Sequence, residues 1–135
     1  VRILKEECYS KGEIMELYWY KCELVRCIDG DTVEIWVDFG FHHRWKIGVR
    51  LFGLNAPEIV GANSAAGKAA KAYLEQLLNA PGLVLHSVKD RADKYGGRWL
   101  GEFYRDGVNL NQKMIEDGHA VPWDGQGTKP VPEQV

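Results

Sequence analysis

Two stretches of strict alternation constrain the fold of this chain more than any other feature. Val33, Ile35, Val37 and Phe39 alternate with Glu34, Trp36 and Asp38, and Trp45, Ile47, Val49 and Leu51 alternate with Lys46, Gly48 and Arg50. A period of two puts every apolar side chain on one face, so both segments read as half-buried strands sharing a core. Residues 17–27 have the same strand composition and are followed by Asp29-Gly30, a strong hairpin signal. Three consecutive antiparallel strands are expected. The period then changes. Ala66, Ala69, Ala70, Tyr73, Leu74, Leu77 and Leu78 recur at three- and four-residue intervals, which predicts a helix. Asn63-Ser64 can cap its start, and Asn79-Ala80-Pro81-Gly82 stops it. Residues 83–88 and 98–104 read as a fourth and a fifth strand, the latter ended by Asp106-Gly107. A short second helix follows Asn111, turns Met114 and Ile115 inward and closes at Gly118. This order predicts a mainly β, α+β domain: a five-stranded OB-fold barrel capped by helices. A split sheet with helices on one face gives a similar pattern.

A chain of 135 residues that is 45% hydrophobic, with 5 Trp, 6 Tyr and 4 Phe, can bury one sizeable core, so residues 1–135 are read as a single domain. The recognisable part runs over 17–123, and the aperiodic residues 125–135 are expected to be a mobile tail. The formal net charge of -2 excludes binding of nucleic acid by a uniformly basic body, so any polyanion site must be a local cluster. Cys8, Cys22 and Cys27 are an odd number, which argues against a disulfide framework and for a reducing compartment. An offset of five along a strand puts Cys22 and Cys27 on opposite faces, and both read as plain buried thiols. No segment has the apolar length of a membrane span, and the first residues lack the apolar centre of a signal peptide. A cytoplasmic location is expected in preference to secretion, although the first residue is not Met.

The residues that could carry chemistry fall in three segments. Asp31 follows the first turn at a strand start, where an Asp is more often structural than functional. Arg50 ends a strand that turns sharply through Asn55, Ala56, Pro57 and Glu58, and Pro57 restrains Ala56 to an extended conformation that can present its carbonyl as a fixed ligand. A carboxylate, an amide oxygen, a backbone carbonyl and water make a site for a hard cation such as Ca²⁺ or Mg²⁺. The third segment, Asp93-Lys94-Tyr95-Gly96-Gly97-Arg98, is a cationic and aromatic turn, and an arginine fork suits a phosphodiester. Weaker signals have plainer readings. The Gly61 to Lys68 stretch has the wrong spacing for a phosphate loop. His42, His43, His86 and His119 lack metal-ligand spacing. Trp36, Trp45 and Trp99 could stack bases but read first as packing or interface surface, and Lys68 and Lys71 as the solvated face of the helix.

Asp29-Gly30-Asp31-Thr32, then Arg50 through Asn55-Ala56-Pro57-Glu58, then Asp93 through Arg98, then Asn111 through Gly118-His119-Ala120, together resemble the staphylococcal nuclease (thermonuclease-like) family in identity, order and approximate spacing. With Val121-Pro122-Trp123-Asp124-Gly125 following, the chain looks most like the short phage- and prophage-type members. The resemblance implies a barrel of the kind inferred above and a low-specificity, Ca²⁺-dependent nuclease acting on DNA, RNA or both and leaving 3′-phosphates, with Mg²⁺ or Mn²⁺ as alternative metals. By resemblance, Asp31, Asn55 and the Ala56 carbonyl match metal ligands, and Glu58 matches the glutamate proposed to activate water. Arg50 and Arg98 match the arginines that hold the phosphate, Lys94 and Tyr95 match residues near a terminal phosphate, and Trp123 lies near a tyrosine lining the base pocket. Two departures stand out. Asn55 replaces a carboxylate and lowers the site's charge by one, and the extra glycine of Gly96-Gly97 offers a register shift before Arg98. A non-catalytic nucleic-acid- or protein-binding module is the alternative function. A monomer is expected, with a dimer through the tryptophans of the long hairpin as the alternative.

Overall fold

The computed structural model describes residues 17–61, 64–92 and 98–123. Strands β1 (Trp19–Asp29), β2 (Thr32–Asp38) and β3 (Arg44–Leu51) form the expected antiparallel meander. A two-residue strand β4 (Leu54–Asn55) leads to helix α1 (Ser64–Leu78). Strands β5 (Val84–Ala92), β6 (Trp99–Arg105) and β7 (Val108–Asn109), helix α2 (Leu110–Glu116) and a short β8 (Val121–Pro122) complete the order. The sheet runs β3-β2-β1-β5-β6, and β3 pairs with β6 in parallel, Arg50 opposite Leu100, which closes a five-stranded barrel. This pairing covers Val49, Arg50 and Leu51 of β3 and so closes the barrel at the Arg50 end. The inward residues of the alternating strands, Val33, Ile35, Val37, Val49 and Leu51, are buried with Leu85 and Phe103. Leu74 and Leu78 of α1 and Met114 of α2 seal this core.

Three sequence expectations change in the structure. Cys22 and Cys27 do not lie on opposite faces, because β1 carries an extra residue between them. Leu24 and Arg26 oppose Ile35 and Glu34, so Val25 bulges outward and both thiols turn into the core. Their burial pushes both thiol pKa values up to about 12, which keeps them protonated and unreactive. Gly30 is not a positive-φ turn glycine. A Cβ there would lie 2.8 Å from the Cβ atoms of both Ala56 and Ala70, so glycine is needed for close approach. By contrast, Asp106 and Gly107, both at positive φ (52° and 79°), form the mirror-image turn that this dipeptide favours. Finally, the cap of α2 is Asn109, whose side chain accepts from the Gln112 N–H at 3.1 Å. Asn111 is buried inside that helix, where it accepts from the Phe103 N–H and donates to the carbonyls of Phe52 and Gly101, each at 3.0 Å. Gly118, at φ 80°, ends α2 as expected, with the Gly118 and His119 N–H groups returning to the Ile115 and Met114 carbonyls. Asn63, Cys8 and the expected tail over 125–135 lie outside the described residues.

Candidate active site

Three chain segments meet at the Thr32 end of the β2–β3 ladder, where Thr32 pairs with Arg50. Asp31, in the β1–β2 turn, is buried, and its Oδ1 accepts from Arg50 Nη1 at 3.1 Å and from the Thr32 hydroxyl at 3.1 Å. Its Oδ2 accepts from the Ala56 N–H at 3.1 Å, which ties the turn to the loop leaving β4. Gly30 lets Ala56 and Ala70 of α1 press against this turn, and Gly67 of α1 lets the helix back onto the Glu58 carbonyl, which any Cβ at position 67 would overlap. Glycine and alanine thus let the Asp31 turn, the 55–58 loop and the helix sit at near backbone contact. Asn55 is pinned by the β4–β8 pairing opposite Val121.

The arginines arrive from two strands. Among the described residues the buried Arg50 Nη2 has no hydrogen-bond acceptor, so the fork that holds Asp31 has spare donor capacity beside it. Arg98 directs Nη1 toward the Thr32 hydroxyl at 3.5 Å. Its stem crosses Gly48, where a Cβ would come within 3.2 Å of Arg98 Cγ. The β3–β6 pairing therefore brings Arg98 to the same end of the barrel as Arg50, with the Gly96-Gly97 turn before it lying outside the described residues. Trp123 donates its backbone N–H to the Gly53 carbonyl at 2.9 Å, which carries its ring to 5.6 Å from the Arg50 guanidinium. The Glu58 side chain is exposed, two residues after Ala56 on the loop that Gly67 contacts. Lys94 and Tyr95 lie outside the described residues.

Two carboxylates share this buried corner. Burial, the hydrogen bond to Asp31 and the Asp31 charge push the Asp29 pKa up to about 6. Asp31 goes the other way. Burial alone would raise its pKa, but the hydrogen bond from Asp29, the Arg50 guanidinium, the Ala56 N–H and the Thr32 hydroxyl hold it below the usual carboxylate value. The sequence marks Asp29 and Thr32 only as turn and motif residues. Asp29 borders Asp31 in a buried pair, and Thr32 links Asp31 to Arg98. A hydroxyl directly after a site carboxylate, facing across the ladder to Arg50, is the signal that could have identified Thr32.

Asp31, kept ionised, is joined through the Ala56 N–H to the segment carrying Asn55 and Ala56, and all three residues are buried to 4% exposure, so a carboxylate, a side-chain amide and a backbone carbonyl of the kind a hard cation takes occur in neighbouring segments. Among the described residues no three His, Cys, Asp or Glu side chains gather as a ready metal cluster, so a cation at this corner would rest on one carboxylate and neutral oxygens. An apolar cleft of about 170 Å³ lies toward the other end of the β2–β3 hairpin, lined by Tyr20, Phe39, Trp45, Ile47 and Trp99, and contains none of these residues. The rings of His86 and His119 stack on Trp19 and Tyr73, with centres 4.2 and 4.5 Å apart.

The family model described as "Staphylococcal nuclease homologue" matches residues 48–130, more than half of the chain. Two curated relatives, each named "Uncharacterized endonuclease", come from Escherichia coli O157:H7 and from Escherichia coli. Each is 31% identical over 109 residues, which is 80% of this chain and 64% of the relative. The chain therefore spans slightly less than two thirds of the length of the relatives it matches. With the closed barrel and the matched segment running from Gly48 through Arg50, Glu58 and Arg98, the chain belongs to the staphylococcal nuclease homologue family.

Proposed function

We propose that the domain is a metal-dependent phosphodiesterase that hydrolyses DNA, RNA or both with low sequence specificity. The observation that carries this reading is the buried Arg50 fork. One nitrogen holds Asp31 and the other has no acceptor among the described residues, and Arg98 reaches the same corner through Thr32. Two guanidinium groups converging beside an ionised carboxylate suit a phosphoryl group whose negative charge grows in the transition state. Family membership and the word endonuclease in both relatives' names point the same way.

Asp31, Asn55 and the Ala56 carbonyl would hold the cation, with Ca²⁺ the expected metal and Mg²⁺ or Mn²⁺ the alternatives. When bound, it supplies Lewis-acid stabilisation of the phosphoryl oxygens. Glu58, exposed on the loop that Gly67 contacts, accepts a proton from the attacking water. The water oxygen bonds to phosphorus, the bond from phosphorus to the 5′ oxygen breaks, and a proton passes to that leaving oxygen. Arg50 and Arg98 hold the two remaining phosphoryl oxygens, and Lys94, Tyr95 and Trp123 contact the rest of the nucleotide.

The test is digestion of plasmid and RNA by wild type and Glu58→Gln with Ca²⁺, Mg²⁺, Mn²⁺ or EDTA. Cleavage by wild type only with metal, and none by a folded Glu58→Gln that still binds nucleotide, is expected. Cleavage in EDTA overturns the metal assignment, and wild-type turnover in Glu58→Gln overturns the role of that residue. Binding without cleavage under every condition returns the domain to a non-catalytic binding module.

A further inference from the structure

The β2–β3 ladder carries a second set of groups on its outer face. Because Val33, Ile35 and Val37 point inward, Thr32, Glu34, Trp36 and Asp38 point outward, opposite Arg50, Gly48, Lys46 and Arg44. Arg50, the Arg98 stem lying on Gly48, Lys46 and Arg44 therefore form one cationic stripe that begins at the candidate active site. Successive outward positions on a strand are about 6.8 Å apart, so Arg44 lies about 20 Å along the strand from Arg50. The Arg44 guanidinium sits 4.2 Å and the Lys46 ammonium 5.7 Å from the Trp36 ring centre. An arginine laid flat on an indole keeps the outward edge of its fork free to donate, at little further cost in side-chain entropy.

Asp38 lies opposite Arg44 on the ladder, yet the nearby acids are engaged with other groups. Glu34 is paired with Arg26 at 3.4 Å, and Asp38 accepts the Gly40 N–H at 2.8 Å in the hairpin turn. Glu23 is exposed one strand farther away, opposite Trp36 on β1. Among the described residues, neither Arg44 nor Lys46 forms an ion pair. The stripe ends at a tip where Phe41 and His42 both hold positive φ (55° and 59°) and Phe41 is 100% exposed. A bulky residue in that conformation is strained, and nothing in the core is gained from exposing it.

We propose that this face is an extended subsite for the polynucleotide strand beyond the scissile phosphate, with Lys46 and Arg44 on successive phosphates and Phe41 available to stack a base. The inference rests on the nuclease reading of the Arg50 end. Charge complementarity selects the occupant: a single-stranded polyanion matches a stripe of cations beside aromatics, of which Lys46 and Arg44 have no ion pair among the described residues, on a chain whose net charge is -2.

The experiment compares wild type, the double variant Arg44→Gln/Lys46→Gln and the control Lys113→Gln on α2. Each is assayed with a single-stranded 15-mer and with a nitrophenyl ester of a single nucleotide too short to reach Lys46, and binding of the 15-mer is titrated against salt in EDTA. The double variant should show a KM for the 15-mer raised about tenfold, and its log K against log salt slope should shrink by about 1.4, the loss of two phosphate contacts. Its ratio of long- to short-substrate turnover should fall, and that of Lys113→Gln should not. Unchanged 15-mer kinetics and slope, or equal losses on both substrates, overturn the proposal. A concentration-dependent dimer of wild type that Phe41→Ser dissolves assigns the face to self-association and also overturns it. If wild type cleaves neither substrate but the EDTA slope still depends on Arg44 and Lys46, the nuclease reading fails while the subsite stands.

Discussion

At the scale of single residues, the Asp29 and Asp31 pair makes stability respond to pH. Asp29 is protonated more readily in the folded state, where its pKa is about 6, than in the unfolded chain, where it is 3.8. Between those values the native state binds more protons, so this group's contribution to stability is full below about pH 4 and is lost as pH rises through 6. Asp31 has the opposite sign: its contribution is present above the usual carboxylate pKa and lost as pH falls through its lowered folded value. The pair alone therefore favours a mildly acidic optimum. Asp29→Asn keeps a neutral hydrogen-bonding group and cannot ionise, so the variant should gain on wild type as pH rises from 4.5 to 7.5. Urea unfolding at both pH values measures this, and a stability difference between the proteins that does not change with pH would refute it. The sequence marked Asp29 only as a turn residue, because a turn aspartate and a partner of a buried carboxylate look alike until the 56–58 loop and α1 cover the turn.

At the scale of elements, the placement of Glu58 depends on a helix it does not belong to. Gly67 sits within the apolar period of α1 with nothing in the sequence to distinguish it from a poor helix former, yet it is the point where α1 meets the Glu58 backbone. Gly67→Ala improves helix propensity but forces a methyl group into a carbonyl that no rotamer change can move aside, so the loop or the helix must shift. A net destabilisation of about 1–3 kcal/mol is expected, with a larger loss of turnover than of folding. Ala69→Gly, at an exposed position of the same helix, costs about 1 kcal/mol by propensity without touching Glu58 and should keep turnover. Comparing activity in the two variants at matched folded fractions decides it, and equal loss in both would reduce Gly67 to a matter of stability. The long alternating strands and α1 were legible because a period sustained over many residues survives local irregularity. The extra residue in β1, the two-residue strands β4 and β8, and the choice between Asn109 and Asn111 as cap were not. Each is decided by a register or a buried partner, with no periodic trace in the chain.

At the scale of the whole molecule, the site is a product of closure. Arg50 and Arg98 are far apart in sequence and meet because β3 pairs in parallel with β6, a long-range pairing that no local pattern announces. Motif order placed both arginines at one site without supplying that geometry. Since Asp31, Asn55 and Ala56 are gathered only in the folded barrel, a cation they hold must stabilise the entire domain. Ligand at a hundredfold excess over its Kd adds about 2.7 kcal/mol to the native state. For a chain of this size, that corresponds to a rise in Tm of roughly 8–12 °C. Restoring a second carboxylate with Asn55→Asp strengthens a hard-cation site but buries another charge beside Asp31. This variant should therefore melt lower than wild type in EDTA and show a larger upward shift with Ca²⁺, half-maximal at a lower concentration. Asp31→Ala should show no Ca²⁺-dependent shift. Calorimetry of the three proteins across a Ca²⁺ series reads all of these without reference to activity. If Asn55→Asp and wild type respond at the same Ca²⁺ concentration, Asn55 is not a ligand. If Asp31→Ala still responds like wild type, the cation binds somewhere other than the corner that barrel closure creates.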